Sequence, residues 1–362
     1  MDTILFQSVG IDIAKDKFDA CFKEKGTNKA IIKGTKTFGN DAKGFVEFLD
    51  WCRKRKKENA SICFVMEATG VYYENLCYFL HFKKERVCVE LPQKVKYYAK
   101  SLNVKTKTDK VDANLIAEIG LERHTSLKSW APPSKGFKEI RDLTRELARL
   151  KKYKTAASSQ IHALETAHGT SKDALRIAKK QWKQTDKLIK ELEAVLLKTV
   201  KKDKHLYEKI ERISEVKGLG ILSIVKVIAE TNGFLLFGSI RQLVSYAGLD
   251  VVQDQSGTHN GRPKISKKGN AHLRQALYMP AVSAATHNEK MKSFYDRLNE
   301  KFVYKKQSLV AVMRKLLVTI YTLWKKGEEY DPNHQWQGGK RKREVALPLE
   351  DSHQKQQLLL EV

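Results

Sequence analysis

The chain has 362 residues, of which 41% are hydrophobic, so it can form two domains with cores of their own. It carries 68 Lys and Arg residues against 42 Asp and Glu, a formal net charge of +26. So basic a chain repels itself unless a polyanion binds it, and nucleic acid is the commonest such partner. No apolar run approaches the roughly 18–20 residues of a membrane-spanning helix, and no signal peptide is recognisable. These features argue against a membrane protein and predict a cytoplasmic protein that binds nucleic acid.

The first 91 residues alternate in the manner of a mixed α/β domain. Three hairpin strands are predicted first, then two strand–helix units, and this order is typical of an RNase H-like fold. The predicted strands are 6–13, 17–22, 30–38, 62–66 and 87–91, and the predicted helices are 41–57 and 71–83. Pro92 is interpreted as the end of the last strand. The five cysteines all lie in this region and are predicted to be reduced core residues, because their spacing suits no metal site.

The region after Pro133 contains no proline before Pro263, which favours long helices. Apolar residues recur at helical spacing in two stretches, near 140–150 and 188–195. Pairing between chains as a coiled coil and a plain antiparallel hairpin within one chain both fit this pattern. We therefore predict an RNase H-like domain over 1–135, a helical connector over 136–207, a mostly helical domain over 208–325 and a flexible polar tail over 326–362.

Four acidic residues stand where they could bind a metal ion together. Asp12 and Glu67 each end a predicted strand, while Asp109 and Asp112 share one face of a predicted helix. Mg²⁺ prefers oxygen ligands, and two such ions can activate a nucleophile and stabilise the leaving oxygen during phosphodiester cleavage. Each acid alone has an ordinary explanation, such as a turn for Asp12 or a helix cap for Asp109. Their combination is what favours a metal site.

Two glycines, Gly218 and Gly220, interrupt what is otherwise a helical pattern over 213–228. Glycines in such a turn let backbone N–H groups approach a DNA phosphate at the start of the second helix. A plain helix break explains the same pattern equally well.

Ser256 lies in a stretch whose composition predicts a flexible loop, followed by a helix with cations in its first turn. Nothing in its local composition distinguishes it from an ordinary turn serine beside Gly257. Basic residues on both sides of the loop could neutralise a phosphate in a transition state. These candidates are Arg262, Lys267, Lys268 and Arg274, and further basic candidates for nucleic-acid contact near the acids are Lys105 and Lys107.

Motifs in both halves of the chain resemble those of DEDD-type insertion-sequence transposases, which are relatives of the Piv DNA invertase and are known as bridge-RNA-guided recombinases. The N-terminal motifs are Val9-Gly10-Ile11-Asp12-Ile13-Ala14-Lys15, Met66-Glu67-Ala68-Thr69-Gly70-Val71-Tyr72 and Lys107-Thr108-Asp109-Lys110-Val111-Asp112-Ala113. The C-terminal motifs are Val216-Lys217-Gly218-Leu219-Gly220, Tyr246-Ala247-Gly248-Leu249, Ser256-Gly257, Ile265-Ser266-Lys267-Lys268-Gly269 and Leu273-Arg274-Gln275-Ala276-Leu277-Tyr278. The similarity spans about residues 5–325, with the motifs in the same order.

The resemblance implies a RuvC-like domain whose metal ligands match the four acids, a coiled-coil segment, and a transposase domain whose nucleophile matches Ser256. It also implies a 5′-phosphoserine link to DNA and a noncoding bridge RNA that pairs with target and donor DNA. The active site would be shared between protomers, so we expect a homo-oligomer, a dimer or tetramer, associated with the nucleoid of a prokaryotic cell. Many relatives have Pro where this chain has Lys217 and Asp250, which concerns local turn geometry.

Two other functions compete with recombination. A RuvC-type, metal-dependent nuclease would cut DNA with activated water and leave Ser256 as a loop residue. A non-catalytic nucleic-acid-binding protein would have lost part of the carboxylate set, and the presence of all four acids argues against it.

Overall fold

A computed structural model describes residues 6–26, 30–58, 60–68, 70–106, 108–235, 237–261 and 263–331. Lys107, Arg262 and the predicted tail from residue 332 onward lie outside these ranges. The chain divides into two units, Met1–Pro133 and Ser134–Val362, so the predicted connector belongs to the second unit.

The first unit is built on a five-stranded mixed sheet. Its strands are β1 (Phe6–Ile13), β2 (Lys17–Lys25), β3 (Ala30–Gly39), β4 (Ile62–Glu67) and β5 (Arg86–Glu90), in the order β3-β2-β1-β4-β5. Strands β1, β2 and β3 are antiparallel, whereas β4 runs parallel to both β1 and β5. The predicted order of hairpin strands followed by strand–helix units is confirmed.

Four helices cover this sheet: α1 (Ala42–Arg53), α2 (Glu74–Phe82), α3 (Pro92–Ser101) and α4 (Asp109–Glu122). Helix α3 was not predicted, because Pro92 was interpreted only as the end of a strand. Pro92 is instead the first residue of the helix, a position where its missing N–H and fixed φ cost nothing.

Apolar residues pack on both faces of the central strands, whereas the edge strand β3 is mostly exposed. On one face, aromatic rings pack around Phe48, whose ring centroid lies 5.2 Å from that of Phe18 and 5.8 Å from that of Phe64. On the other face, Val65 and Cys88 pack against Ile116 of α4. All five cysteines are buried, in agreement with their predicted place in the core.

Helix α4 crosses the sheet at unusually close range because β1 carries a glycine there. A Cβ added to Gly10 would lie 2.1 Å from both the carbonyl oxygen of Ala113 and the amide nitrogen of Ala117. Only glycine permits this approach. The contact holds the N-terminal part of α4 over the last residues of β1.

The second unit is mostly helical, as predicted. Its helices are α5 (Lys135–Thr166), α6 (Lys172–Lys201), α7 (Lys204–Ser214), α8 (Ile221–Thr231), α9 (Ile240–Ala247), α10 (Ala271–His287), α11 (Glu289–Asn299) and α12 (Lys305–Lys326). Two very short strand pairs lie between α9 and α10: β6 (Val251–Val252) with β9 (Lys264–Ile265), and β7 (Gln255–Ser256) with β8 (His259–Asn260). Among the described residues, none of the helices is long and apolar enough to cross a membrane.

Helices α5 and α6 form an antiparallel hairpin within the chain. Ion pairs run across it between Lys151 and Glu193 at 2.6 Å and between Lys154 and Asp186 at 2.6 Å. At the base of the hairpin, apolar residues of both helices enter the main core of the second unit, among them Leu147 of α5. The intrachain pairing accounts for the helical periodicity, and association between chains stays a prediction.

Candidate functional site

The carboxylates of Asp12 and Glu67 stand at the same edge of the sheet. Strands β1 and β4 are parallel, and Ile11 is in register with Met66, so Asp12 and Glu67 occupy the next position on each strand. Both side chains are half-buried. Strand ends of this kind place polar groups beside one another where the backbone leaves the core.

The first turn of α4 brings the other two acids to this edge. Thr108 caps the helix, its hydroxyl accepting a hydrogen bond from the amide of Val111 at 3.3 Å, and both Asp109 and Asp112 lie in the first turn. Carboxylates there interact favourably with the positive end of the helix dipole. The close packing of α4 on β1 then places this turn over Asp12.

The proximity of the acids appears in the titration of Asp12. The pKa of Asp12 is raised from 3.8 to about 6, mainly by burial and then by the negative charges of Asp112, Asp109, Glu67 and Asp19, in that order. Nearby like charges disfavour ionisation in this way. The structure therefore places all four predicted acids near enough to one another for the other three to act on the pKa of Asp12.

A fifth acid, Asp19, was not singled out from the sequence. It pairs directly with Asp12 across the β1–β2 hairpin, so both side chains emerge on one face. The Thr37 hydroxyl donates a hydrogen bond to Asp19 at 2.5 Å, and the Lys17 ammonium lies 3.7 Å from the carboxylate of Asp109. The hairpin register, which depends on the length of the turn after Ile13, is the signal that could have found Asp19.

The described residues contain no group of three or more His, Cys, Asp or Glu side chains already arranged around a metal position. The donor set at the sheet edge nevertheless has the chemistry of a hard-cation site, because every candidate ligand is a carboxylate oxygen. A divalent cation there would offset the repulsion that raises the pKa of Asp12.

The two glycines of the predicted turn have different surroundings in the second unit. Gly218 has a φ of +101° and packs tightly, since an added Cβ would lie 2.7 Å from the Cα of Ala284. Gly220 is the N-cap of α8, and a Cβ there would meet open space. Close packing thus explains Gly218, while Gly220 is the position that a phosphate could approach.

Ser256 lies at the tip of a short β-hairpin and is exposed. It pairs with His259, and the turn between them contains Gly257 with a φ of +54°. The sequence predicted a loop, and the structure adds the turn that presents the hydroxyl to solvent. Asp250, one of the departures from the relatives' pattern, accepts a hydrogen bond from the Ser266 hydroxyl at 2.5 Å.

The basic candidates divide by the contacts they make. Lys105, Lys267 and Lys268 are exposed. Arg274 is half-buried, and its guanidinium donates to the backbone oxygens of Ala247 at 2.9 Å and Gly269 at 3.3 Å. Arg274 thus links Ala247 and Gly269, which lie on either side of the stretch that carries Ser256.

Comparison with known proteins assigns the family. A model of the DEDD transposases of IS110 type matches residues 9–167, and a second, described as Transposase IS116/IS110/IS902 family, matches residues 210–296. The chain belongs to the IS110-type family of DEDD transposases. It is therefore an enzyme of DNA recombination, and its substrates are DNA.

Relatives of this transposase align over most of its length. A pilin gene-inverting protein of Moraxella bovis is 29% identical, covering 89% of this chain and 97% of that protein. The transposase for insertion sequence element IS1111A of Coxiella burnetii is 25% identical, covering 77% of this chain and 78% of that protein. A RuvC structure from Thermus thermophilus covers 34% of this chain and 99% of that one with a TM-score of 0.27 and 14% identity.

Proposed function

We propose that this transposase cuts and rejoins DNA with Ser256 as nucleophile, assisted by divalent metal bound at the carboxylate edge of an RNase H-like, RuvC-like first unit. The observation that carries the proposal is the convergence of Asp12, Glu67, Asp109 and Asp112 at one end of the sheet. The strand order β3-β2-β1-β4-β5 supports the fold assignment.

The four carboxylates fit Mg²⁺, which prefers oxygen ligands and keeps several waters. When bound, the ion would stabilise negative charge on the phosphate and on the leaving oxygen. Asp12 is central to this set, because the other three acids each act on its pKa. The sheet and the first turn of α4 hold the carboxylates in place before any ion binds.

The serine step conserves the energy of the phosphodiester bond. The Ser256 oxygen forms a bond to phosphorus and loses its proton to a base or to water. The bond between phosphorus and the 3′ oxygen breaks, and its electron pair leaves with that oxygen, which takes up a proton. The products are a 5′-phosphoserine and a free 3′-hydroxyl, so reversal of the reaction on a new 3′-hydroxyl rejoins strands without a high-energy cofactor.

The proposed partners are target DNA, donor DNA and a noncoding bridge RNA, bound by a homo-oligomer. The net charge of +26 supports binding of several nucleic-acid segments at once. The carboxylates lie in the first unit and Ser256 in the second, which is compatible with a site completed by another protomer.

A hydrolytic nuclease is the alternative. It is favoured by one observation: the four acids all lie within the first unit, which has its own core and needs no serine for metal-assisted cleavage by water.

Replacement of Ser256 by Ala separates the two functions. We expect Ser256→Ala to bind DNA normally and to form neither a covalent adduct nor a recombinant product, whereas wild-type protein with Mg²⁺ is attached to a 5′ DNA end on a denaturing gel. Thr258→Ala, which removes the neighbouring exposed hydroxyl at the same hairpin tip, is the control and should remain active. Normal recombination by Ser256→Ala would place the nucleophile elsewhere and favour the hydrolytic nuclease.

A further inference from the structure

A buried carboxylate lies in the second unit, close to the base of the segment that carries Ser256. Glu230, in the last turn of α8, has a side chain only 3% exposed, and Arg145 of α5 donates to its two oxygens at 2.8 and 3.0 Å. Burial raises the pKa of Glu230, but hydrogen bonds from Arg145 and Asn270 outweigh it, so the pKa lies below its usual value. Glu230 is therefore ionised at neutral pH, and both of its carboxylate oxygens accept hydrogen bonds.

Asn270 links this carboxylate to the start of α10. Its amide nitrogen donates to Glu230 at 2.7 Å, while its side-chain oxygen caps α10 by accepting from the amides of His272 at 2.8 Å and Leu273 at 3.3 Å. The backbone amide of Asn270 donates to the carbonyl of Tyr246 at 2.7 Å. One residue thus ties α8, α9 and α10 together at a single point.

Residues 248–270 leave and re-enter the helical core at this point. The two ends are joined by backbone hydrogen bonds from Lys267 to Gly248 at 3.2 Å and from Ser266 to Asp250 at 2.9 Å. Further out, Gly261 donates to Asp254 at 2.7 Å, just below the hairpin tip. The tip itself is exposed, so its position depends on the base.

We infer that Glu230 is a positioning residue for the nucleophile: its contact with Asn270 fixes the base of the segment 248–270 and so the place of Ser256. The inference rests on the proposed role of Ser256. An ion pair whose carboxylate is buried adds little to stability compared with apolar packing, but it can specify one arrangement of the groups around it. A displacement of about 1 Å at a reacting group can lower a rate roughly 100-fold.

The contact with Arg145 extends the same network to the helical hairpin. Arg145 lies on α5, whose next turns form the α5–α6 hairpin, and its side chain is 45% exposed. The carboxylate of Glu230 therefore joins the long helix α5 on one side and the start of α10 on the other. A rearrangement of α5 would act on the Ser256 segment through this pair of hydrogen-bonded contacts.

Two substitutions remove the anchor while keeping its surroundings. Asn270→Asp retains a good N-cap for α10 but removes the donor to Glu230 and places two carboxylates side by side. Glu230→Gln retains the size of the side chain but removes the negative charge to which Arg145 and Asn270 donate hydrogen bonds. Glu211→Gln, at an exposed glutamate of α7, is the matched control for the loss of one negative charge.

Two measurements test the inference on full-length protein. In hydrogen exchange, we expect the amides of Gly261, Ser266 and Lys267 to lose protection at least tenfold in both variants, while amides of α12 stay as in wild type. In single-turnover assays at saturating DNA, below the unfolding temperature, we expect adduct formation per folded molecule to fall tenfold or more with unchanged DNA affinity. A residue that only stabilised the fold would lower the Tm without changing that rate.

Wild-type exchange in 248–270, or a wild-type adduct rate in both variants, would overturn the inference. A different set of results is expected if Ser256 is not the nucleophile. If Ser256→Ala recombines normally, Glu230 has no nucleophile to position, and the exchange measurement alone decides whether Glu230 anchors the segment.

Discussion

Replacing Asp12 by Asn is expected to stabilise the metal-free protein and to remove its response to Mg²⁺. The carboxylate of Asp12 is half-buried and surrounded by four other acids, so its charge opposes folding when no cation is present. Asn has nearly the same shape and carries no charge. The same substitution takes away a proposed ligand, so a cation bound there would lose part of its site.

The magnitude follows from the titration of Asp12. A rise in its pKa from 3.8 to about 6 corresponds to about 3 kcal/mol at neutral pH if it counted in full. Because the side chain is half-exposed, water reduces both the burial penalty and the repulsion, and we expect about 1–2 kcal/mol. For a unit of this size the Tm would rise by about 4–8 °C.

The sign of the pH dependence is fixed by the direction of the pKa change. Well below pH 3.8 the carboxyl is neutral in the folded and unfolded states alike, and the penalty disappears. It grows as the pH rises from the unfolded pKa of 3.8 to the folded pKa of about 6 and is complete above that value. The advantage of Asp12→Asn over wild type should therefore be largest near pH 8 and should vanish towards pH 3.

Thermal unfolding with and without Mg²⁺ measures both effects. Wild type at Mg²⁺ about 100-fold above its Kd should gain about 2.7 kcal/mol, and Asp12→Asn much less. Asp50→Asn, at an exposed acid of α1, controls for the loss of one charge and should behave as wild type. A lower Tm for Asp12→Asn at pH 8, or an undiminished Mg²⁺ response, would refute the reasoning.

Three further perturbations have defined outcomes. Gly10→Ala would force a Cβ to 2.1 Å from the Ala113 carbonyl oxygen and should abolish cooperative unfolding of the first unit. The control, Gly136→Ala on α5, adds its Cβ in open space and should stabilise the protein by about 0.5–1 kcal/mol. Equal Tm values for the two variants would contradict the close contact at Gly10. DNA affinity should fall steeply between 50 and 200 mM salt, on the order of 10³-fold or more for six phosphate contacts, and a flat salt dependence in a filter-binding titration would exclude counterion release. The outer part of the α5–α6 hairpin, 159–181, contains Ile177, which is 58% exposed. Deleting 159–181 should reduce self-association and recombination more than folding. An active deletion variant whose assembly size is unchanged by size-exclusion chromatography would argue against an interface there.

The sheet and its acids were predictable because strand ends are local features. Asp12 and Glu67 follow continuous apolar runs, and the spacing of Asp109 and Asp112 is that of one helix face. Asp19 was missed because its position beside Asp12 depends on the hairpin register, which a sequence specifies only through the exact turn. Helix α3 was missed because a proline can end one element or begin the next.

The second unit was harder to predict in detail. Its small strands have two residues each, too few for alternation to show, so the region around Ser256 looked like a plain loop. The anchor at Glu230 was also invisible, because Arg145 and Asn270 lie 85 and 40 residues away along the chain. Contacts of that range follow from tertiary packing and leave no local pattern.

The close approach of α4 to β1 also affects the order in which the two units can fold during synthesis. The carboxylate edge needs residues from Asp12 to Asp112, and the close contact with Gly10 needs α4 as far as Ala117. At ~5–20 residues per second, a ribosome takes roughly 7–30 seconds more to reach Ser256. The first unit has a core of its own, so its acids can assemble on the nascent chain well before the serine exists. During synthesis, the unit that carries the four acids is therefore finished before the unit that carries Ser256.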